Sequence, residues 1–164
     1  MVVIVMGVAG SGKTTIGTGL AAALGWPFFD ADDFHSEANK QKMAAGVALD
    51  DRDRQGWLET LRGLIAEQIA AGKSAVVACS ALKRSYRKTL CVSPADLKFV
   101  YLKGSPGLLK ERLLQRKHHF FAPALLEDQL ATLEEPTAAI TVDIARPQAE
   151  IIAELKARLG GFHS

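Results

Sequence analysis

At 164 residues the chain is long enough for one compact domain with a real core, and its 48% hydrophobic content runs along the whole length, which excludes a disordered tail. Twenty basic residues against 18 acidic ones leave a formal charge of +2, too balanced to indicate nucleic acid by itself. The two cysteines, Cys79 and Cys91, form no CxxC pair and no metal spacing, so a reducing cytoplasm is the expected compartment.

Residues 2–6, "VVIVM", are a continuous β-branched apolar run, which predicts a strand covered on both faces. The run is short, has no basic leader and meets a glycine-rich loop at once, so neither a signal peptide nor a membrane span is expected. In "GKTTIGTGLAAALG" the period changes: Ile16, Leu20 and Leu24 recur at helical spacing and Gly25 is the stop. Gly17 and Gly19 are costly in an exposed helix, and close packing on a sheet explains them. "PFFD" reads as a second strand, 36–45 as a short helix and 53–71 as a longer one, with Trp57, Leu58, Leu61, Leu64, Ile65 and Ile69 on one side. "SAVVAC" and "LKFVYL" are the third and fourth strands, and 140–145 holds the fifth. A helix from about 147 to 159 turns Ile151, Ile152, Leu155 and Leu159 inward. Strands alternating with helices predict an α/β fold, a parallel sheet with helices on both faces. Two helices with no strand between them, at 105–115 and 123–134, predict an excursion from the sheet, a lid at about 112–122 anchored by Leu109, Leu113 and Leu114.

The octet "GVAGSGKT", Gly7 to Thr14, matches the phosphate-loop pattern in full and stands between a strand and a helix. Its glycines let backbone N–H groups curl around phosphate oxygens, and the helix N-terminus adds its positive end. Lys13 can reach the β- and γ-phosphates, and Thr14 can offer a hydroxyl to Mg²⁺. Gly7, Gly10, Ser11, Gly12, Lys13, Thr14 and Thr15 are therefore the expected ATP-binding set. The motif does not say whether water or another molecule accepts the phosphate.

The stretch "DADDFHSEANKQKM", 30–43, bears on the acceptor. In an open parallel sheet, ligands sit beyond the carboxyl ends of the strands, and "PFFDADD" delivers Asp30, Asp32 and Asp33 to that edge. Asp30 and Asp32 alternate outward in a strand-like end, with Asp32 as the base for an attacking hydroxyl and Asp30 on the metal side. Asp33 is the expected cap of the next helix. His35 and Asn39, four apart, share one helical face, and mixed donors and acceptors there suit a polyol. In "DDRDRQGWL", Arg52 and Arg54 alternate with carboxylates, and an arginine fork matches a carboxylate or phosphate. In "CSALKRSYRK", Ser80 can hydrogen-bond a ligand, while Lys83 and Arg84 open a helix whose dipole opposes cations, a conflict that a nearby anion resolves.

These pieces resemble the gluconate kinases, P-loop small-molecule kinases related to shikimate and adenylate kinases. "MGVAGSGKTTIG", "DADDFHSEANKQKMAAGVALDDRDRQGWL", "CSALKRSYRKTL", "FVYLKG" and "ERLLQRKHHFFAPALLEDQLATLEEP" fall in matching order over nearly the whole chain. The resemblance implies a three-layer fold with a five-stranded parallel sheet and a helical lid. It implies transfer of the γ-phosphate of ATP, with Mg²⁺, to the 6-hydroxyl of D-gluconate. By that analogy Asp32, His35, Arg54, Lys83 and Arg84 lie at the sugar acid. Arg112 and Arg116 lie over the nucleotide and transferred phosphate, and Arg146 and Pro147 touch the adenine. It also implies a cytoplasmic homodimer; with no extended basic face and no membrane span in the sequence, neither nucleic-acid nor membrane partners are expected. The chain departs from the usual pattern with Ala31, Phe34 and Ser36, and in the lid, where His118 stands at a glycine and Phe121 at a methionine. A kinase of another sugar acid or a shikimate-like acid, and a P-loop ATPase or switch, are the alternatives.

Overall fold

The structure, a computed structural model, describes residues 1–115 and 123–160. Five strands, β1 (Val2–Met6), β2 (Phe28–Asp30), β3 (Ala75–Ala78), β4 (Leu97–Lys103) and β5 (Ile140–Asp143), form one sheet in the order β2-β3-β1-β4-β5. Every pairing is parallel, with Ile4 of β1 opposite Val77 of β3 and Phe99 of β4. The helices are α1 (Lys13–Leu24), α2 (Glu37–Ala44), α3 (Asp51–Ala70), α4 (Arg84–Leu90), α5 (Pro106–Gln115), α6 (Pro123–Thr132) and α7 (Gln148–Gly160).

The two-residue period of the strands sorts the core into two layers. Val3 and Val5, with Val76, Val100 and Leu102, face a layer that takes Ile16 and Leu20 of α1, Leu109 and Leu113 of α5, Leu126 of α6, and Ile151 and Leu155 of α7. Val2, Ile4 and Met6, with Val77, Leu97 and Tyr101, face Trp57, Leu58, Leu61 and Ile65 of α3 and Tyr86 and Leu90 of α4. All five residues of β1 are fully buried, as the unbroken apolar run predicts for a central parallel strand. Cys79 is buried in the second layer. Burial pushes its thiol up to about 12, which makes it a packing residue rather than a nucleophile.

A Cβ on Gly17 would meet the Phe28 ring at 2.7 Å, so α1 does lie tight on the sheet there. Gly19 differs from expectation: its close neighbour is Ile152 of α7, at 2.5 Å from a built Cβ, so this glycine serves a helix–helix contact. The long helix begins at Asp51, two residues before the predicted start. Asp50 and Asp53 form a reciprocal capping box, each carboxylate accepting from the other's backbone N–H. Asp33 does not cap α2. Ser36 does, through the Asn39 N–H at 3.1 Å. Of the three leucines predicted to anchor the excursion, Leu109 and Leu113 are buried but Leu114 is 64% exposed, because it points away from the sheet on α5. No helix among the described residues is long and apolar enough to cross a membrane.

Candidate active site

The loop from β1 to α1 carries Gly10 at φ 83° and Gly12 at φ 90°, left-handed values that an L side chain resists. Gly12 is the N-cap of α1 and, lacking a side chain, supplies no side-chain cap to the first-turn N–H groups. The Lys13 ammonium donates to the Val8 carbonyl at 3.1 Å, back across the loop. Ser11 Oγ is buried and has no hydrogen-bond partner among the described residues. A cradle of backbone donors with a positive helix end and a lysine suits phosphate oxygens. Gln129 of α6 also reaches the loop, its side-chain carbonyl accepting from the Ala9 N–H at 2.7 Å. Sequence reading missed this contact, which spans 120 residues.

Asp30 ends β2 beside this cradle. Its Oδ2 accepts from the Thr14 hydroxyl at 3.2 Å, and its Oδ1 accepts from the Asp32 N–H at 3.0 Å. The chain therefore leaves the strand in a 3-10 turn, Ala31–Phe34, not in the strand-like extension predicted for Asp32. Thr14 and Asp30 are two hard oxygen donors side by side. Mg²⁺ takes few protein ligands and completes its shell with water and phosphate, so this donor set fits it. Asp32 reaches solvent from a setting crowded by protein. Desolvation first, then the Asp30 charge, raises its pKa, while Lys13 opposes the shift. A carboxylate so tuned is a better proton acceptor than a free one.

The turn is fastened to α3 by the Trp57 indole, which donates to the Ala31 carbonyl at 2.7 Å. The His35 ring stacks on Trp57, with centroids 4.4 Å apart and planes inclined by 13°. His35 is only 8% exposed. Burial, then the charges of Arg54 and Lys40, lower its pKa to about 4, so the imidazole is neutral near pH 7. Asn39 joins the ring from α2, and its Nδ2 donates to the Asp53 carbonyl at 2.8 Å.

Farther along lies a cation cluster. Arg54 donates to the Tyr86 hydroxyl at 3.1 Å, Lys83 binds both oxygens of Asp51, and Tyr86 donates to Asp51. Both cations also lie over the Tyr86 ring, at 5.8 and 5.5 Å from its centroid. The anion that the charged start of α4 demands is in part the protein's own: Asp51 for Lys83, and Glu134, whose Oε1 accepts from the Arg84 N–H at 3.0 Å. Ser80 lies in the turn after β3, next to Ala81 at φ 47°. Arg87, another residue the sequence did not single out, secures that strained turn. Its guanidinium donates to the carbonyls of Ala81, Leu82 and Glu134.

Lys13, Thr14, Asp30 and Asp32 thus gather at the cradle, and His35, Arg54 and Lys83 continue from it. Arg112 of α5 donates to the Ile144 carbonyl, just past β5. Arg146 follows β5 and pairs with Glu154 of α7 at 2.8 Å, with Pro147 next to it before α7. Arg116, and the lid from 116 onward to 122, lie outside the described residues.

Residues 9–155 match the shikimate kinase family. A gluconokinase of Gluconobacter oxydans is 49% identical over 133 residues, covering 81% of this chain and 75% of that protein. The crystal structure of an unliganded sugar kinase from a Janibacter species superposes with a TM-score of 0.90 at 40% identity, covering 97% of this chain and 94% of the other. A gluconokinase structure from Sinorhizobium meliloti gives 0.82 at 42% identity, over 99% and 97%. The chain belongs to the gluconokinase family. As a member of that family it is an ATP-dependent P-loop phosphotransferase acting on a small sugar or hydroxy acid. The gluconokinase fold here is the predicted three-layer arrangement: a five-stranded parallel sheet between helices.

Proposed function

We propose that this gluconokinase-family enzyme transfers the γ-phosphate of ATP to the 6-hydroxyl of D-gluconate, giving 6-phospho-D-gluconate and ADP. The observation that carries the reading is the series Lys13, Asp32, His35, Arg54, Lys83, which runs from a phosphate cradle to a cation cluster. A substrate bound along it places a hydroxyl at one end and a carboxylate at the other.

Lys13 and the loop N–H groups hold the β- and γ-phosphates and take up charge as it develops in transfer. Asp32 accepts the proton of the attacking hydroxyl. The new oxygen–phosphorus bond forms as the bond from the γ-phosphorus to the β–γ bridging oxygen breaks, and ADP leaves. Thr14 and Asp30 would hold Mg²⁺, which when bound neutralises charge on the β- and γ-phosphates. Arg54, Lys83 and Arg84 take the carboxylate, with Ser80 and His35 on the hydroxyls. Arg112 and Arg116 serve the nucleotide and the transferring phosphate, and Arg146 and Pro147 the adenine.

The shikimate kinase match supports a second reading, another hydroxy acid as acceptor. A panel of sugar acids, shikimate and neutral sugars, followed by ADP formation with ATP and Mg²⁺, separates the two. D-gluconate is expected to lead the panel, with phosphorus NMR showing a primary phosphate ester. A shikimate-led panel would replace the substrate assignment. ADP formation independent of any acceptor would favour a simple ATPase.

A further inference from the structure

We infer that Asn39 is a positioning residue that locks His35 in its Nε2–H tautomer, making His35 a hydrogen-bond donor to an acceptor oxygen of the sugar acid. The ligand role rests on the gluconate reading above, while the tautomer stands on the geometry alone.

The Asp53 main-chain carbonyl can only accept, and it takes one hydrogen from Asn39 Nδ2 at 2.8 Å. This fixes which end of the Asn39 amide is nitrogen. The same nitrogen lies 3.3 Å from His35 Nδ1, so its second hydrogen faces that ring atom. Two N–H groups cannot face each other in a buried contact, so Nδ1 accepts and the ring proton sits on Nε2. Both halves of this clamp are stiff. Asp53 is held by the capping box and by Lys42, whose ammonium reaches its two carboxylate oxygens at 2.9 and 2.8 Å. The imidazole plane is set by stacking on Trp57, which is itself tied to Ala31.

Nε2 has no hydrogen-bond partner among the described residues, the ring's one side-chain bond being through Nδ1. His35 directly follows the turn that carries Asp32 and feels the Arg54 charge, so it is near both the proposed base and the cation cluster. A neutral donor there selects for lone pairs, from a hydroxyl or a carboxylate, and disfavours a ligand that presents only a donor. Had Nδ1 carried the proton, Nε2 would be an acceptor and the preference would reverse.

Nitrogen-15 NMR of the histidine rings in the full-length protein tests the lock directly. Wild type is expected to show His35 as a single Nε2–H tautomer near neutral pH, with the Nε2–H signal moving on addition of D-gluconate. An Nδ1–H or mixed ring in wild type overturns the lock, and an Nε2–H signal indifferent to saturating D-gluconate overturns the ligand role. Asn39→Ala should mix the tautomers and raise KM for the sugar acid by about tenfold, the loss of one good hydrogen bond, with KM for ATP within about twofold. A single Nε2–H tautomer retained in N39A, or mixing without a change in KM, contradicts the proposal. If wild type does not phosphorylate D-gluconate, the substrate assignment falls, while the wild-type spectrum still decides the tautomer.

Discussion

Lys83 and Asp51, 32 positions apart in sequence, meet at 3.0 Å and join the start of α3 to the cap of α4. Asp51 is 68% exposed, so the pair adds little to stability. Its consequence is geometric. It holds an ammonium beside Arg54 and Tyr86, the place the proposed function gives to the substrate carboxylate.

Lys83→Met should raise KM for D-gluconate by roughly 10-fold to 100-fold, the usual range for one charge-assisted hydrogen bond, with KM for ATP nearly unchanged. Steady-state kinetics with each substrate varied in turn measures both. An equal rise in both constants would place Lys83 outside the acceptor end.

Asp32→Asn should lower kcat by about 10²-fold or more, within the range for general-base groups, and Asp33→Asn by much less. The two properties of Asp32 should separate. Its pKa is raised in the folded protein, so the folded state disfavours the charged form and ionised Asp32 opposes folding above its unfolded pKa. D32N removes that opposition, and its melting temperature at pH 7 should equal or exceed wild type. A large drop in melting temperature alongside the lost activity would make Asp32 structural.

His35 gives the opposite pH behaviour. Its pKa falls from 6.5 to about 4 on folding, so its contribution is fully present above pH 6.5 and is lost as pH falls toward 4. Across that window the loss is on the order of 3 kcal/mol. Urea unfolding of wild type and His35→Gln at pH 7.5 and 4.5 measures it. H35Q should be the less acid-sensitive of the two, and equal acid sensitivity would remove His35 from the account.

Arg116→Ala should lower kcat more than it weakens ATP binding, because a contact made mainly in the transition state acts on turnover. Isothermal titration with a non-hydrolysable ATP analogue, set beside kcat, checks this. Equal losses in both would make Arg116 an ordinary nucleotide contact.

The five strands and most of the helices were legible because their signals are local. The β-branched run of β1, the shift to helical period at Ile16 and the stop at Gly25 each lie within a few residues. The cradle was legible for the same reason, since its glycines, lysine and threonine are contiguous. What escaped was long-range or doubly coded. "DDRDR" looks like an alternating charge run, yet Asp50 and Asp53 cap α3, Asp51 holds Lys83, and Arg54 meets Tyr86. Ser36 outcompeted Asp33 as a cap because the backbone is already in a 3-10 turn at Asp33. Arg87 and Gln129 act on backbone groups far along the chain, at Glu134 and Ala9, and no periodicity announces such a partner.

In the proposed reaction one sugar acid spans the site, its 6-hydroxyl at Asp32 beside the phosphate cradle and its carboxylate at the cation cluster. The direct measurement is kcat/KM for D-gluconate against D-glucose, with ATP and Mg²⁺ saturating. These acceptors share a 6-hydroxyl, but only gluconate has the carboxylate. A strong preference for D-gluconate, greatly reduced in K83M, is the predicted result. Equal kcat/KM for the two acceptors would contradict the role given to Arg54, Lys83 and Arg84.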